Sequence, residues 1–120
     1  MKITKKIFIA DDDDAIVDSI TMMLEVMDYQ VDSTSNGTQV IKALEDCPDL
    51  LLLDIWMSGI DGREVCQQIK ANPVTAKIPV LMVSASRQIK ESALACGADD
   101  FLAKPFEMSD LIEKIEQLTN

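Results

Sequence analysis

The stretch that decides the fold is DLLLLD, residues 49–54. Its run of consecutive leucines offers no polar face, which is typical of a strand that is buried on both sides of a sheet. Leucine alone does not favour a strand over a helix, so the shortness of the run and Pro48 in front of it decide the assignment. The run ends at Asp54, which places a carboxylate at the carboxyl end of a central strand.

Outward from this strand, short apolar segments alternate with helical patterns along the chain. The predicted strands are 6–10, 29–33, 49–54, 79–83 and 101–103. The predicted helices are 15–27, 37–45, 62–71, 88–96 and a last one carried by apolar residues from Met108 to Leu118. A strand followed by a helix, repeated along the chain, predicts an α/β domain with a parallel sheet and helices on both faces.

The composition limits the possible functions. The chain has 120 residues, which is the size of one domain, and a formal net charge of −10, which repels the phosphates of nucleic acids. No apolar run is long enough to span a bilayer, and residues 1–6 have no secretory apolar region, so we expect a cytoplasmic protein without a membrane partner. Histidine is absent, which excludes imidazole metal sites and histidine-dependent catalysis.

The cysteines do not form a metal-binding pattern. Cys47, Cys66 and Cys96 are far apart in sequence and include no Cys-x-x-Cys pair. An odd number of such cysteines predicts reduced thiols. We expect each of them to be a small hydrophobic residue of the core.

Polar residues stand where the predicted strands end. Ligands bind beyond the carboxyl ends of the strands in a doubly wound sheet, so these residues are the candidate site. Taken singly, each has an ordinary explanation as a helix cap or a solvated side chain, and for Asp13 and Asp14 that explanation is the better one. Taken together, they converge on one rim. The candidate residues are Asp11, Asp12, Asp54, Ser84 and Lys104.

This set of groups suits phosphoryl transfer. Clustered carboxylates repel one another, and oxygen ligands without histidine or cysteine favour Mg²⁺. A carboxylate beside Mg²⁺ can attack phosphorus and form an aspartyl phosphate. A cation and a lysine can together neutralise the charge that spreads over the phosphoryl group, to which a serine hydroxyl can donate a hydrogen bond.

Four segments carry a resemblance to a known family. Residues 7–13, 53–62, 79–85 and 97–106, in this order, resemble the response-regulator receiver domain of two-component signalling. The resemblance covers essentially the whole chain. It implies that residues 1–120 form a single receiver domain with a (βα)5 flavodoxin-like fold, a doubly wound parallel sheet of five strands in the order 2-1-3-4-5. It also implies a signalling switch that catalyses only its own phosphorylation and dephosphorylation.

The resemblance assigns the acceptor and the metal ligands. Asp54 corresponds to the phosphorylated residue, which receives its phosphoryl group from a phosphohistidine of a sensor histidine kinase or a histidine phosphotransfer protein. Asp11 and Asp12 correspond to the acidic pair that holds Mg²⁺ together with Asp54. The backbone carbonyl of Trp56 corresponds to a further ligand of this ion.

The resemblance also implies a switch and a readout surface. Ser84 corresponds to the hydroxyl of the switch, Lys104 to the lysine that contacts the phosphoryl group, and Phe101 to the aromatic side chain that moves inward. The readout face is expected on the fourth helix, the fifth strand and the fifth helix. It would act on a downstream effector or an output domain outside this chain. Ser58 departs from the family, which commonly has proline there.

Three other classes of protein fit these residues less well. A phosphatase of the haloacid dehalogenase kind needs a second acid two residues after the nucleophile, where this chain has Trp56. A flavodoxin-like cofactor binder needs a phosphate-binding loop rich in glycine, serine or threonine after the first strand, where this chain has the acidic residues 11–14. The intact set of acid, hydroxyl and lysine argues against a phosphorylation-independent interaction module, which an absent response to phosphodonors would favour.

Overall fold

A computed structural model describes residues 4–57 and 59–119, and for Arg87 the backbone alone, so Ser58 lies outside the description. The strands of the main sheet are β1 (Lys6–Ala10), β2 (Gln30–Thr34), β3 (Leu50–Asp54), β4 (Val80–Ser84) and β5 (Asp100–Ala103). The helices are α1 (Asp14–Val26), α2 (Val40–Ala43), α3 (Gly62–Ala71), α4 (Lys90–Ala95) and α5 (Met108–Thr119). These elements confirm the predicted alternation of strands and helices.

The sheet has the expected topology. Its five strands are parallel and lie in the order β2-β1-β3-β4-β5, with β3 at the centre. Asp54 of β3 is in register with Val83 of β4, and Ser84 of β4 is in register with Ala103 of β5. The carboxyl ends of these strands therefore meet at one edge of the sheet.

Alternate residues of the central strands face two separate cores. Leu51 and Leu53 pack with α2, α3 and α4, whereas Leu50 and Leu52 pack with α1 and α5. All of these leucines are at most 3% exposed. Full burial of one leucine contributes about 1.5–3 kcal/mol. Because the run has leucines on both faces of the strand, covering both faces with helices is favourable.

Two helices are less regular than predicted. The segment expected to be one helix over 37–45 consists of the 3₁₀ turn Gly37–Gln39, α2 and the 3₁₀ turn Leu44–Asp46. The segment expected over 88–96 begins with the 3₁₀ turn Arg87–Ile89, continues as α4 and ends before Gly97. Gly97 has φ +104°, a conformation that favours glycine and confirms it as the helix stop.

The expectation for the cysteines is right for two of the three. Cys66 and Cys96 are buried in the core between α3 and α4. Cys47 is exposed, so its assignment to the core is wrong. The reason is local: Cys47 ends the turn after α2 with φ +50°, a left-handed conformation that turns the chain towards Pro48.

A short antiparallel hairpin that the sequence analysis does not predict follows β3. Trp56–Met57 pairs with Ile60–Asp61, and α3 begins at the next residue. Gly62 lies against the end of β3: a Cβ atom there would come within 2.5 Å of the Asp54 carbonyl oxygen. The hairpin therefore folds back onto the end of β3, and only glycine permits this close approach. Among the described residues, no helix is long and apolar enough to cross a membrane.

Candidate functional site

The candidate residues reach one rim because each stands at the end of a strand. The Asp11 backbone N–H continues the β1–β2 ladder by donating to the Thr34 carbonyl over 3.1 Å. Asp54 is the last residue of β3 and Ser84 the last of β4. The Lys104 backbone N–H, just beyond β5, donates to the Ser84 carbonyl over 2.8 Å. Backbone pairing thus fixes the positions from which these side chains extend.

Three carboxylates form a cluster at this rim. Asp11, Asp12 and Asp54 each offer an oxygen, and these oxygens all lie within 4.8 Å of one another. Asp11 is buried, Asp12 is exposed and Asp54 is intermediate. One carboxylate oxygen of Asp11 also accepts a hydrogen bond from the Asp13 backbone N–H over 2.9 Å, which orients the group. The acidic cluster predicted from the sequence is therefore present in the fold.

Lys104 lies between two of these carboxylates. Its Nζ is 3.0 Å from Asp11 Oδ2 and 3.8 Å from Asp54 Oδ1. The side chains of Lys104 and Asp11 are 17% and 6% exposed, so this ion pair is largely shielded from water. The shorter distance shows that the ammonium group is engaged mainly with Asp11. Asp54 therefore has the weaker electrostatic interaction with Lys104, which carries the only positive charge in this set of residues.

The protonation of Asp54 reflects this environment. The pKa of Asp54 is raised from its ordinary value of 3.8 to about 6, mainly by burial and also by the negative charges of Asp11 and Asp12. Lys104 and a backbone hydrogen bond from Trp56 act in the opposite direction but do not prevail. The ionised form of Asp54 is therefore held at the rim against an unfavourable balance of charge.

The donor set fits a hard divalent cation. Its ligand atoms are carboxylate oxygens without nitrogen or sulfur, and an excess of negative charge is already crowded there. Mg²⁺ prefers such oxygens and is usually held by one or two carboxylates with water or phosphate. Asp11, Asp12 and Asp54 are thus able to hold Mg²⁺, whereas the role of the Trp56 carbonyl remains a prediction.

The neighbouring acids have the structural role that was expected. Asp13 is the N-cap of α1: its Oδ1 accepts hydrogen bonds from the backbone N–H groups of Ala15 and Ile16, over 3.1 and 3.3 Å. Asp14 lies in the first turn of the helix and is exposed. Both positions favour a negative charge because the amino end of a helix is electropositive. Neither aspartate is needed to explain the cluster.

The proposed switch residues lie behind the rim. Ser84 is buried, and its Oγ accepts a hydrogen bond from the Ser86 backbone N–H over 3.1 Å. Phe101 is only 6% exposed and packs in the core that includes Ala93 of α4. It is already inside, so in this structure no inward movement from an exposed position is available to it. Trp56 is 62% exposed, in the first strand of the hairpin.

The residues that hold this hairpin are not among those predicted from the sequence. The Asp61 carboxylate caps α3 by accepting from the Arg63 backbone N–H over 2.9 Å, and it also pairs with the Arg63 guanidinium at 2.6 Å. The Gly62 backbone N–H donates to the Ile55 carbonyl. The signal was available in the sequence, since Asp-Gly is a frequent turn dipeptide and aspartate a common N-cap.

Comparison with known proteins agrees with this geometry. The family described as "Response regulator receiver domain" matches residues 7–116. The chain is 37% identical over 116 residues to the DNA-binding dual master transcriptional regulator RpaA of Synechocystis sp. PCC 6803, covering 94% of this chain and 48% of that protein. The chain spans about half the length of this relative and of several others.

Solved structures show the same fold. A response regulator receiver domain protein from Methanospirillum hungatei superimposes with a TM-score of 0.87 and 31% identity, over 97% of this chain and 94% of that one. The receiver domain of the sensor histidine kinase PA1611 from Pseudomonas aeruginosa has a TM-score of 0.88 and 24% identity, over 98% of both chains. That domain holds a magnesium ion in its active-site cleft.

The chain belongs to the response regulator receiver domain family of two-component signal transduction. This assignment favours a signalling function over the phosphatase and the flavodoxin-like cofactor binder. The site agrees with that preference, because Trp56 occupies the position of the phosphatase acid and acidic residues occupy the loop after β1.

Proposed function

We propose that this receiver domain is a phosphoacceptor switch and that Asp54 is its acceptor. The observation that carries the proposal is the rim itself: Asp54 ends the central strand within 4.8 Å of two other carboxylates and 3.8 Å from the ammonium group of Lys104. These are the groups that transfer of a phosphoryl group to a carboxylate requires. The donor would be a phosphohistidine on a sensor histidine kinase or a histidine phosphotransfer protein, because this chain has no histidine of its own.

In the proposed reaction, a carboxylate oxygen of Asp54 attacks phosphorus, the P–N bond to the donor imidazole breaks, and an acyl phosphate forms. The raised pKa of Asp54, about 6, still leaves the carboxylate mostly ionised at neutral pH. Lys104 would move from Asp11 towards the new phosphoryl oxygens, a short distance given its present position between the two acids. Ser84 would donate its hydroxyl hydrogen to the same group.

Mg²⁺ is the proposed cofactor, held by Asp11, Asp12 and Asp54 with the backbone carbonyl of Trp56. When bound, it would neutralise charge on the carboxylates and on the transferred phosphoryl oxygens. The residues of the chain perform the positioning: Asp11 is fixed by its contacts with Lys104 and with the Asp13 backbone, and Asp54 by its place at the end of β3. The domain would thus catalyse only its own phosphorylation and dephosphorylation.

The proposed output is a change at the face formed by α4, β5 and α5, with Ser84 as the switch hydroxyl and Phe101, which is already buried in this structure, as the aromatic residue that packs behind it. Binding of a downstream effector to this face, or contact with an output domain in a longer protein, would pass the signal on. The relatives support the second arrangement, since RpaA is about twice as long as this chain and is described as DNA-binding. In this proposal residues 1–120 act as one receiver domain that does not itself bind nucleic acid or a membrane.

The acceptor can be identified by intact-mass measurement. The protein is incubated with acetyl phosphate and Mg²⁺, and the phosphoryl adduct is expected on the wild type but not on Asp54→Asn. Asp49→Asn is a matched control, because Asp49 precedes the same strand at its opposite end, where its carboxylate accepts from the Lys6 backbone N–H. An undiminished adduct on Asp54→Asn would contradict the proposed acceptor. No adduct on any protein would favour a phosphorylation-independent interaction module.

A further inference from the structure

Arg63 joins the acceptor loop to α4. Its guanidinium is fixed on Asp61, with Nε 2.9 Å from Oδ1 and Nη2 2.6 Å from Oδ2. Its remaining nitrogen, Nη1, donates a hydrogen bond to Ser92 Oγ over 3.1 Å. Ser92 lies in the middle of α4, and its own hydroxyl hydrogen is directed to the Ile89 carbonyl over 3.0 Å. The guanidinium therefore spans two elements with defined partners on each side.

The side of Arg63 that faces the site is connected to Asp54 through the hairpin. Asp61 pairs with Trp56 in the hairpin, and the Trp56 backbone hydrogen-bonds to the Asp54 carboxylate. Gly62 lies in close contact with the Asp54 carbonyl. A change in the position of the residue 54–56 backbone must therefore displace Asp61, and with it the guanidinium that is bound to Asp61 in a bidentate fashion.

The other side of Arg63 contacts a weakly held helix. The α4 helix has six residues, its N-cap Ile89 makes no side-chain capping hydrogen bond, and only Ala93 within it is buried. A helix this short is not stable by itself, and few buried contacts allow it more than one arrangement. Phe101, by contrast, is already buried against this core. A hydrogen bond from outside the helix can therefore change the position of α4 more than further burial of the Phe101 ring can.

We propose that Arg63 couples the loop after Asp54 to α4 through its hydrogen bond to Ser92, so that phosphorylation moves α4 through the first turn of α3. This coupling rests on the proposed acceptor function of Asp54. Arg63 does not touch the reacting groups, and it acts by transmitting the position of the hairpin. The rate and extent of phosphorylation are therefore expected to stay unchanged when the contact is removed.

The coupling can be measured by amide chemical shifts of the full chain, before and after adding Mg²⁺ with beryllofluoride, a mimic of the phosphoryl group. In Ser92→Ala and in Arg63→Met, the response of residues 90–95 is expected to fall about twofold or more, with no further loss in the double variant. The response of residues 55–57 should persist. Ser92→Thr keeps the hydroxyl and should restore the α4 response, and Ser109→Ala, on α5, is the control for loss of an exposed serine.

The outcomes separate this coupling from the acceptor function. If residues 55–57 respond and α4 shifts as much in both single variants as in the wild type, the coupling through Arg63 is wrong. Additive losses in the double variant would also overturn it, because the two side chains would then act independently. If residues 55–57 of the wild type do not respond to beryllofluoride, the acceptor function fails and the coupling fails with it.

Discussion

Replacing Asp54 by asparagine should stabilise the protein in the absence of divalent cations. Asparagine has nearly the same shape as aspartate but carries no charge. The substitution therefore removes the repulsion between residue 54 and the carboxylates of Asp11 and Asp12, as well as the cost of burying an ionised group. It also removes the attraction to Lys104, but this attraction is the weaker effect, because the pKa of Asp54 is raised and not lowered.

The size of the effect follows from the same pKa. A rise from 3.8 to about 6 corresponds to about 3 kcal/mol of unfavourable free energy for the ionised form. Because Asp12 is exposed, water on that side of the cluster screens part of the repulsion, and we expect a net gain of about 1–2 kcal/mol in the free energy of unfolding. That gain is a substantial part of the ~5–15 kcal/mol by which a domain is normally stable.

The effect should depend on pH in a definite direction. Below the unfolded-state pKa the carboxyl is protonated in both states, so wild type and Asp54→Asn should be about equally stable. As the pH rises from about 4 to about 6, the unfolded chain loses the Asp54 proton before the folded protein does, and the wild type loses stability relative to the variant. The advantage of Asp54→Asn should therefore appear in this window and stay constant above it.

Urea unfolding with EDTA at matched ionic strength, at about pH 4 and about pH 7.5, provides the measurement. Asp61→Asn is the control of opposite sign, because the bond to Arg63 lowers the pKa of Asp61. Its carboxylate stabilises the fold above the unfolded-state pKa and loses that effect as the pH falls, while asparagine can still cap α3. Equal stability of wild type and Asp54→Asn at the higher pH, or a loss, would refute the charge balance inferred for the rim.

Two further predictions concern the same cluster. Lys104→Met should lower the free energy of unfolding at neutral pH by about 3 kcal/mol, because it leaves the buried carboxylate of Asp11 without its partner at 3.0 Å. Urea titration measures this loss, and an unchanged free energy of unfolding would mean that the pair is not shielded from water. Mg²⁺ should change the fluorescence of Trp56, the single tryptophan, in a saturable manner beyond that of NaCl at equal ionic strength, and Asp12→Asn should weaken the apparent affinity. A response unaltered by Asp12→Asn would place the ion elsewhere.

The sequence was sufficient to predict the main sheet because the apolar patterns that define its strands lie within short segments of the chain. The run at 49–54 has no polar face, so it has to lie between two layers of helices, and the structure shows both layers. The ends of the strands then bring Asp11, Asp54, Ser84 and Lys104 to one rim without any knowledge of distances. Parallel pairing supplies that convergence, and hydrophobic patterning with flanking residues such as Pro48 locates the strand ends to within about one residue.

What the sequence could not supply depends on contacts between distant segments. The hairpin after β3 has only two residues in each strand, too few for a periodic pattern, and it is held by the contacts of Gly62 and Asp61. The burial of Phe101 follows from its packing in the core that includes Ala93 of α4, whereas the exposure of Cys47 has a local cause, the left-handed turn after α2. The preference of Lys104 for Asp11 over Asp54 is a matter of less than 1 Å, which no sequence pattern encodes.

The position of Lys104 bears on how the proposed switch would store its signal. Among the described side chains of the candidate site, three carboxylates face a single ammonium group, and that group is nearest to the acid that would not be phosphorylated. Converting Asp54 to an acyl phosphate replaces one negative charge by about two, so the imbalance would grow unless the lysine moves or a divalent cation is held there. Movement of the Lys104 side chain leaves Asp11 without its ammonium partner. The backbone N–H of Lys104 also donates a hydrogen bond to the carbonyl of Ser84, so movement of Lys104 can be passed to β4. The charge added at Asp54 is therefore expected to act on β4 and β5 directly, while the hairpin and Arg63 act on α4, which gives the readout face two physically separate connections to one site.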